Sequence, residues 1–130
     1  MNEHQILNIA KDLKKAFEEK DIEAIELIYS KDIVVWHNYD QIERNRSQSL
    51  ESARWVIKEI EGFSIDDCCI FPIKEGFIQQ CVFRGKYKSS GKIMETYAMI
   101  RAYCCDGKVY RIEDYSDPQQ GSVPDITGWN

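Results

Sequence analysis

The sequence lacks the features of three common protein classes. No stretch approaches the roughly 20 apolar residues that a membrane-spanning helix needs, and residues 1–5 carry neither the basic start nor the apolar core of a signal peptide. The net charge is −5, with lysine and arginine scattered among the acidic residues, so there is no basic stripe for a nucleic acid. We therefore expect a cytoplasmic protein that binds neither nucleic acid nor membrane.

Residues that hold metals or cofactors are also scarce. The two histidines, His4 and His37, stand in unrelated segments, and a zinc site needs several such ligands close together. There is no glycine-rich phosphate loop and no GxSxG motif. The sequence therefore predicts no metal and no cofactor.

The five cysteines form two adjacent pairs and one single residue: Cys68-Cys69, Cys104-Cys105 and Cys81. Their number is odd and no CxxC spacing occurs, which argues against a disulfide framework and against a structural zinc site. Adjacent residues of a strand point to opposite faces, so neither pair chelates easily. We expect buried or half-buried free thiols that pack as small hydrophobic side chains.

Hydrophobic periodicity divides the chain into an N-terminal helical part and a C-terminal part of strands. Helical spacing predicts helices over residues 3–20 and 22–28, the second capped by Asp21. A strand over 32–38 follows, and then a third helix that Ser47 or Ser49 caps, that runs to about Glu61 and that Gly62 closes. Strands are predicted over 63–74, 77–88, 92–105 and 108–117, separated by short turn sequences.

This order predicts one α+β domain over residues 1–130, with three helices on an antiparallel sheet and an irregular tail over 118–130. Within the strand over 92–105, the even positions are small and apolar and should face the helices. The odd positions include Tyr97, Met99, Arg101 and Tyr103, a mixture typical of a subunit contact or a solvated surface.

Three segments carry a resemblance to a known family: residues 17–25 (FEEKDIEAI), 29–38 (YSKDIVVWHN) and 105–117 (CDGKVYRIEDYSD). Together with the element order, they resemble the nuclear transport factor 2-like superfamily, in its SnoaL-like and ketosteroid-isomerase-like branch. The resemblance implies a strongly curved sheet that forms a cone with one central pocket for a small apolar molecule. It also implies a homodimer through the outer sheet face, and polar groups at the pocket floor that fall here at His37 and Asp114.

The sequence lacks part of the catalytic residues that the better-known enzymes of this superfamily use. A ketosteroid isomerase needs a carboxylate, a tyrosine and an aspartic acid at positions that fall here at His37, Leu13 and about Ile100. The relay of a limonene-type epoxide hydrolase keeps only one aspartate, at Asp114. A SnoaL-like cyclase uses a histidine with an aspartate, but only the aspartate is matched. The reaction therefore stays open.

His37 and Asp114 are the predicted catalytic pair. A histidine can exchange a proton near neutral pH, and an aspartate on an apolar strand face needs a partner, for which His37 is the first choice. The alternatives are a histidine bonded to the backbone, and an aspartate that accepts from a helix terminus or a tyrosine. The predicted ligand-binding wall comprises Leu13, Phe17, Val35, Trp55, Gln79, Cys81, Phe83, Ala98, Ile100 and Tyr110.

Three functions remain open from the sequence. The first is a cofactor-independent acid/base enzyme, such as a lyase, isomerase, cyclase or hydrolase, that acts on a small apolar molecule. The second is a non-catalytic binder of a small hydrophobic ligand. The third is a dimeric protein-interaction module that uses the outer sheet face.

Overall fold

A computed structural model describes residues 1–116 of the chain. Three helices, α1 (Glu3–Glu18), α2 (Ile22–Ile28) and α3 (Arg46–Glu59), accompany six strands. The strands are β1 (Tyr29–His37), β2 (Glu43–Arg44), β3 (Ile60–Ile73), β4 (Gly76–Tyr87), β5 (Ile93–Cys105) and β6 (Lys108–Ser116). The predicted tail over 118–130 lies outside the described residues, and the single domain over 1–130 stays a prediction.

The strands form one open sheet in the order β2-β1-β6-β5-β4-β3. Strands β3 to β6 are an antiparallel meander, as the turn sequences predicted. The sheet as a whole is mixed, because β1 pairs in parallel with β6. The short strand β2, which the sequence did not predict, pairs with β1 in an antiparallel sense. The α+β arrangement of three helices on one sheet is confirmed.

Local hydrogen bonds fix where the helices begin. The Asp21 carboxylate accepts from the Ala24 N–H at 3.1 Å, so the predicted cap of α2 is confirmed. Helix α3 is capped by Asn45, not by Ser47 or Ser49: Asn45 and Gln48 bond to each other's backbone N–H in a capping box. The N-cap therefore lies one residue beyond the end of β2.

The end of α3 also differs from the prediction. Gly62 does not close the helix; α3 ends at Glu59 and β3 starts at Ile60. Gly62 lies inside β3 with φ +60°, where the pairing with β4 shifts between Glu61 and Ser64. Glycine adopts this left-handed conformation, which one common type of β-bulge uses, without steric cost.

The main core lies between the helices and the inner face of the sheet, and its most enclosed members include Ile25, Ile33, Phe77 and Val109. The even positions of β5 from Met94 to Cys104 lie on the inner face of the sheet, as the strand phase predicted. None of the helices within residues 1–116 has the length and apolar character needed to cross a membrane.

Candidate functional site

A cavity of about 380 Å³ lies between helices α1 and α3 and the inner face of the sheet. Its walls are mainly aliphatic and aromatic, with side chains such as Leu13, Phe17, Val35 and Phe77. Cavities of this size and character accommodate small organic molecules. Polar side chains interrupt the apolar wall at several points, and His37, Asp114 and Ser116 lie together where β1 and β6 end.

His37 and Asp114 form the centre of this polar cluster. His37 ends β1, Asp114 lies two residues before the end of β6, and the two are direct partners in the register of these parallel strands. His37 Nε2 lies 3.4 Å from Asp114 Oδ2, and the two side chains are only 18% and 13% exposed. The other ring nitrogen, Nδ1, is enclosed and has no hydrogen-bond partner among residues 1–116.

The second oxygen of Asp114 has its own partner. The Ser116 hydroxyl donates a hydrogen bond to Asp114 Oδ1. The backbone N–H of Ser116 donates to Asn38 Oδ1 at 2.9 Å, and the N–H of Asn38 donates to the Asp114 carbonyl at 3.1 Å. Asp114 is therefore held through both its side chain and its backbone.

Two tyrosines face the same region. The Tyr39 ring lies 5.0 Å from the His37 ring, and Tyr29 is 5% exposed at the start of β1. Both line the cavity, and neither hydroxyl has a hydrogen-bond partner within the described residues. Burial, assisted by the charge of Asp114, raises the pKa of Tyr39 to about 12 and raises that of Tyr29 further. Both phenols are therefore neutral hydrogen-bond donors at physiological pH.

An ion pair supports the turn that carries Tyr39. Arg44 Nη2 lies 2.7 Å from Asp40 Oδ2, and the backbone N–H of Ile42 donates to Asp40 Oδ1 at 3.0 Å. Burial alone would raise the pKa of Asp40, but these two hydrogen bonds outweigh it and lower that pKa. Arg44 also lines the cavity. A charge pair thus ties the turn after β1 to β2.

No protein-family model matches the sequence, and no curated protein matches it either. Solved structures do match. IdmH from Streptomyces antibioticus, a candidate polyketide cyclase, is 18% identical, with a TM-score of 0.77 over 88% of this chain and 93% of that chain. A candidate isomerase from Bacillus subtilis is 16% identical, with a TM-score of 0.78 over 91% of each chain. A candidate SnoaL-like polyketide cyclase from Shewanella putrefaciens CN-32 is 12% identical, with a TM-score of 0.74 over 87% and 90%.

The chain has the SnoaL-like, nuclear transport factor 2-like fold. The resemblance stated from the sequence is thereby confirmed at the level of fold. Identities below 20% carry no assignment of reaction or ligand, because this fold hosts unrelated activities. The chemistry has to be argued from the side chains of this chain.

Most of the predicted wall residues of this SnoaL-like fold lie at the cavity: Leu13, Phe17, Val35, Trp55, Gln79, Phe83 and Ile100. Trp55 is 51% exposed. Whether these residues bind a ligand, and whether His37 and Asp114 are catalytic, stays a prediction.

Three predicted wall residues lie elsewhere. Cys81 and Ala98 are direct partners on the inner faces of β4 and β5, but they pack with Ile65 in a separate buried cluster that side chains of α1 and β3 cover. Tyr110 lies on the outer face, with its ring 5.9 Å from that of Tyr103. It is the extra residue of a β-bulge between β5 and β6, and the bulge reverses the alternation that the sequence suggested.

Sequence reasoning did not select Tyr29, Tyr39 or Ser116. A signal existed for Ser116, which stands two positions after Asp114, so an extended backbone places both on the same side of the strand. Tyr39 lies in the turn after β1, where strand alternation gives no such signal. Tyr29 lies before the predicted strand, and only the longer β1 observed brings it to the cavity.

The cysteines and the acidic residues add no second chemical centre in the described part of the chain. All five cysteines are free thiols, and Cys81 and Cys104 are buried, where burial raises the pKa of each to about 11. Cys69 and Cys105 are exposed, whereas buried or half-buried thiols were expected. Each directly follows a less exposed cysteine, Cys68 or Cys104, and adjacent residues of a strand point to opposite faces. No three His, Cys, Asp or Glu side chains converge as metal ligands between residues 1 and 116.

Proposed function

We propose that the chain is a cofactor-independent acid/base enzyme that acts on a small, largely apolar molecule in the cavity. The observation that carries this proposal is the His37–Asp114 pair at the cavity wall. The cyclase and isomerase descriptions of structural relatives agree with the proposal but belong to those proteins.

In this proposal His37 removes a proton from the bound molecule. Asp114 stabilises the imidazolium that forms, as a carboxylate does in other histidine–aspartate pairs. The neutral hydroxyls of Tyr29 and Tyr39 donate to an oxygen of the ligand on which negative charge develops. The apolar wall excludes water, which strengthens these interactions. Isomerases, lyases, cyclases and hydrolases share such a proton-transfer step.

A substrate-independent test is the Kemp elimination of 5-nitrobenzisoxazole, in which a base removes a ring proton and releases a coloured phenolate. We expect the wild-type protein to exceed free imidazole at equal concentration, because the reacting proton is held near the base in an apolar site. His37→Gln and Asp114→Asn should lower the rate to that of the control reaction. The exposed His4 supplies the matched control, since His4→Gln removes a histidine far from the cavity.

The variants must remain folded for the comparison to count, and circular dichroism and thermal unfolding check this. Rates that are equal in wild type, His37→Gln and His4→Gln would refute a catalytic role of His37 in proton transfer. Binding of the probe without turnover would favour the second function, a non-catalytic binder.

The apolar wall and the 380 Å³ volume favour this second candidate. A binder should retain a small molecule during purification, which native mass spectrometry detects as an added mass. Ala53 is buried and lines the cavity from α3, so Ala53→Leu should reduce the occupied fraction by filling space. An occupied fraction that this substitution leaves unchanged would place the bound molecule elsewhere.

We further propose a homodimer through the outer face of the sheet. Tyr97, Met99 and Tyr115 are 50%, 45% and 51% exposed on neighbouring strands, and an apolar patch of this kind is typical of protein interfaces. Light scattering should give a dimer mass for wild type and a monomer mass for Tyr97→Asp. A monomer at all concentrations would refute the dimer and with it the third candidate, a dimeric interaction module.

A further inference from the structure

A glutamine is buried in the apolar wall of the cavity. Gln79 of β4 is 6% exposed and lines the cavity. On the same face of the sheet, Phe77 precedes it along β4, and its cross-strand partners are Ile100 of β5 and Ile70 of β3. An amide among apolar side chains destabilises the fold unless its donors and its acceptor find partners. For stability alone, an apolar residue would be expected at this position.

The amide of Gln79 forms little hydrogen bonding within the protein. Its Nε2 donates to Sγ of Cys81 at 3.5 Å, and a thiol sulfur is only a weak acceptor. No residue within 1–116 donates to its oxygen, Oε1, and this oxygen is open to the cavity rather than enclosed by protein atoms. By contrast, Lys14, another polar residue of the wall, is bonded to Glu18 at 2.7 Å. Gln79 therefore presents an unused acceptor to the cavity.

The sheet register places Gln79 in one row with His37 and Asp114. Asp114 pairs with His37 of β1 on one side and with Ile100 of β5 on the other, and Ile100 pairs in turn with Gln79. All four residues line the cavity. Because neighbouring strands are about 4.8 Å apart, the backbone of Gln79 lies roughly 10 Å from that of Asp114 along the sheet. The row thus has polar groups at two separate places, with an apolar side chain between them.

We infer that Gln79 is a specificity-determining residue whose Oε1 accepts a hydrogen bond from a hydroxyl group of the bound molecule. This inference rests on the proposed function and names the class of molecule that the same cavity takes. That molecule has a small apolar body, an oxygen at one end that accepts from Tyr29 and Tyr39, and a hydroxyl at the other end. Binding at both ends holds the molecule in one orientation, with its reacting carbon at His37.

Thr96 of β5 is a second buried polar residue of the wall. It is 8% exposed, it lines the cavity, and its hydroxyl has no partner within residues 1–116. It pairs with Phe83 and does not belong to the row of His37 and Asp114. A ligand hydroxyl bound by Thr96 would therefore hold the molecule differently, and substitution of Thr96 and Gln79 in turn distinguishes the two contacts.

Two pairs of probes, each differing in one hydroxyl, test the role of Gln79. In NMR titrations, 6-acetyl-2-naphthol is compared with 2-acetylnaphthalene, and the longer 4-acetyl-4′-hydroxybiphenyl with 4-acetylbiphenyl. In at least one pair, we expect the hydroxylated probe to bind wild type about two- to tenfold more tightly, which is the range for one neutral hydrogen bond. Gln79→Met keeps the length of the side chain and should abolish this preference without weakening the binding of the probe that lacks the hydroxyl.

The neighbouring residue supplies the matched control. Gln80 is exposed on the opposite face of β4, so Gln80→Met should keep the preference of wild type. Urea unfolding without ligand distinguishes a binding role from a structural one. The midpoint of Gln79→Met should equal or exceed that of wild type, because an apolar side chain removes the buried amide. A glutamine that serves the fold would give a lower midpoint.

A hydroxyl preference that persists in Gln79→Met would overturn the inference, as would a preference that only Thr96→Val abolishes. Failure of all four probes to bind wild type would refute the proposed class of molecule. A lower unfolding midpoint in Gln79→Met, with weaker binding of both members of a pair, would assign the residue to packing.

These binding measurements do not depend on turnover. Kemp elimination by wild type without a hydroxyl preference would refute the role of Gln79 alone. A preference that Gln79→Met abolishes, without Kemp elimination by wild type, would refute the enzymatic function and support Gln79 as the ligand contact of a binder.

Discussion

The two cavity tyrosines, Tyr29 and Tyr39, should make the fold less stable at alkaline pH. Burial, the larger cause, and the charge of Asp114 raise the pKa of Tyr39 from 10.0 to about 12. The unfolded chain therefore loses this proton first, so the stabilising contribution is complete below about pH 10 and disappears as pH rises toward 12. The two-unit shift corresponds to about 3 kcal/mol, which solvent screening at this half-buried side chain reduces to about 1–2 kcal/mol. Tyr29 acts in the same direction.

Urea unfolding at pH values from about 8 to 11 measures this effect. Between neutral pH and about pH 11, both proteins should lose free energy of unfolding. We expect the loss to be about 1 kcal/mol smaller for Tyr39→Phe than for wild type. Phenylalanine should cost little at neutral pH, because no residue within 1–116 bonds to the Tyr39 hydroxyl. Tyr97→Phe is the control, since Tyr97 is 50% exposed on the outer face. Equal pH dependence in wild type and Tyr39→Phe would refute the burial of this phenol in the cavity wall near Asp114.

Two further predictions concern the fold that supports the site. Asn45→Ala removes the acceptor for the Gln48 N–H at the start of α3 and should lower the free energy of unfolding by about 1 kcal/mol, measured in urea; no loss would contradict the capping box. Gly76→Ala would place its Cβ 1.9 Å from the carbonyl oxygen of Ala102, a backbone atom that cannot move aside, and should cost about 2–3 kcal/mol. Gly85→Ala would place its Cβ 2.4 Å from Cγ2 of the buried Ile60; because this is a side-chain atom and not a backbone atom, the loss of stability should be smaller than for Gly76→Ala. The reverse order would be inconsistent with the pairing of β4 with β5.

The helices and the antiparallel meander could be predicted because they depend on local signals. Helical spacing of apolar residues and the cap residue Asp21 act within a few positions, and the turns of the meander are marked by glycine. The start of α3 was harder to predict, because Asn45, Ser47 and Ser49 are all suitable cap residues. The choice depends on where β2 ends, and β2 is stabilised only by its pairing with β1. Gly62 was misassigned because a glycine after a helix and a glycine in a bulge give the same local signal.

Part of the site could also be predicted. The residue types and the resemblance pointed to His37 and Asp114, which the structure places 3.4 Å apart. The contact itself depends on the parallel pairing of the first long strand with the last, and neither strand carries a local signal for that pairing. Cys81 and Ala98 have the correct strand face, but strand phase cannot tell which part of an inner face borders the void and which part helix α1 covers.

The β-bulge at Tyr110 turns the side chain of Asp114 toward the cavity. Val109 is fully enclosed in the main core, and strict alternation from Val109 would turn Ile112 and Asp114 to the outer face. The extra residue reverses the phase, so that Ile112 and Asp114 face the cavity while Tyr110 faces outward. A strict period-two pattern cannot place Val109 and Ile112 on the same face, so the reversal becomes visible only in the pairing of β6 with β5. The irregularity of the strand, rather than its regular part, therefore brings the carboxylate to His37.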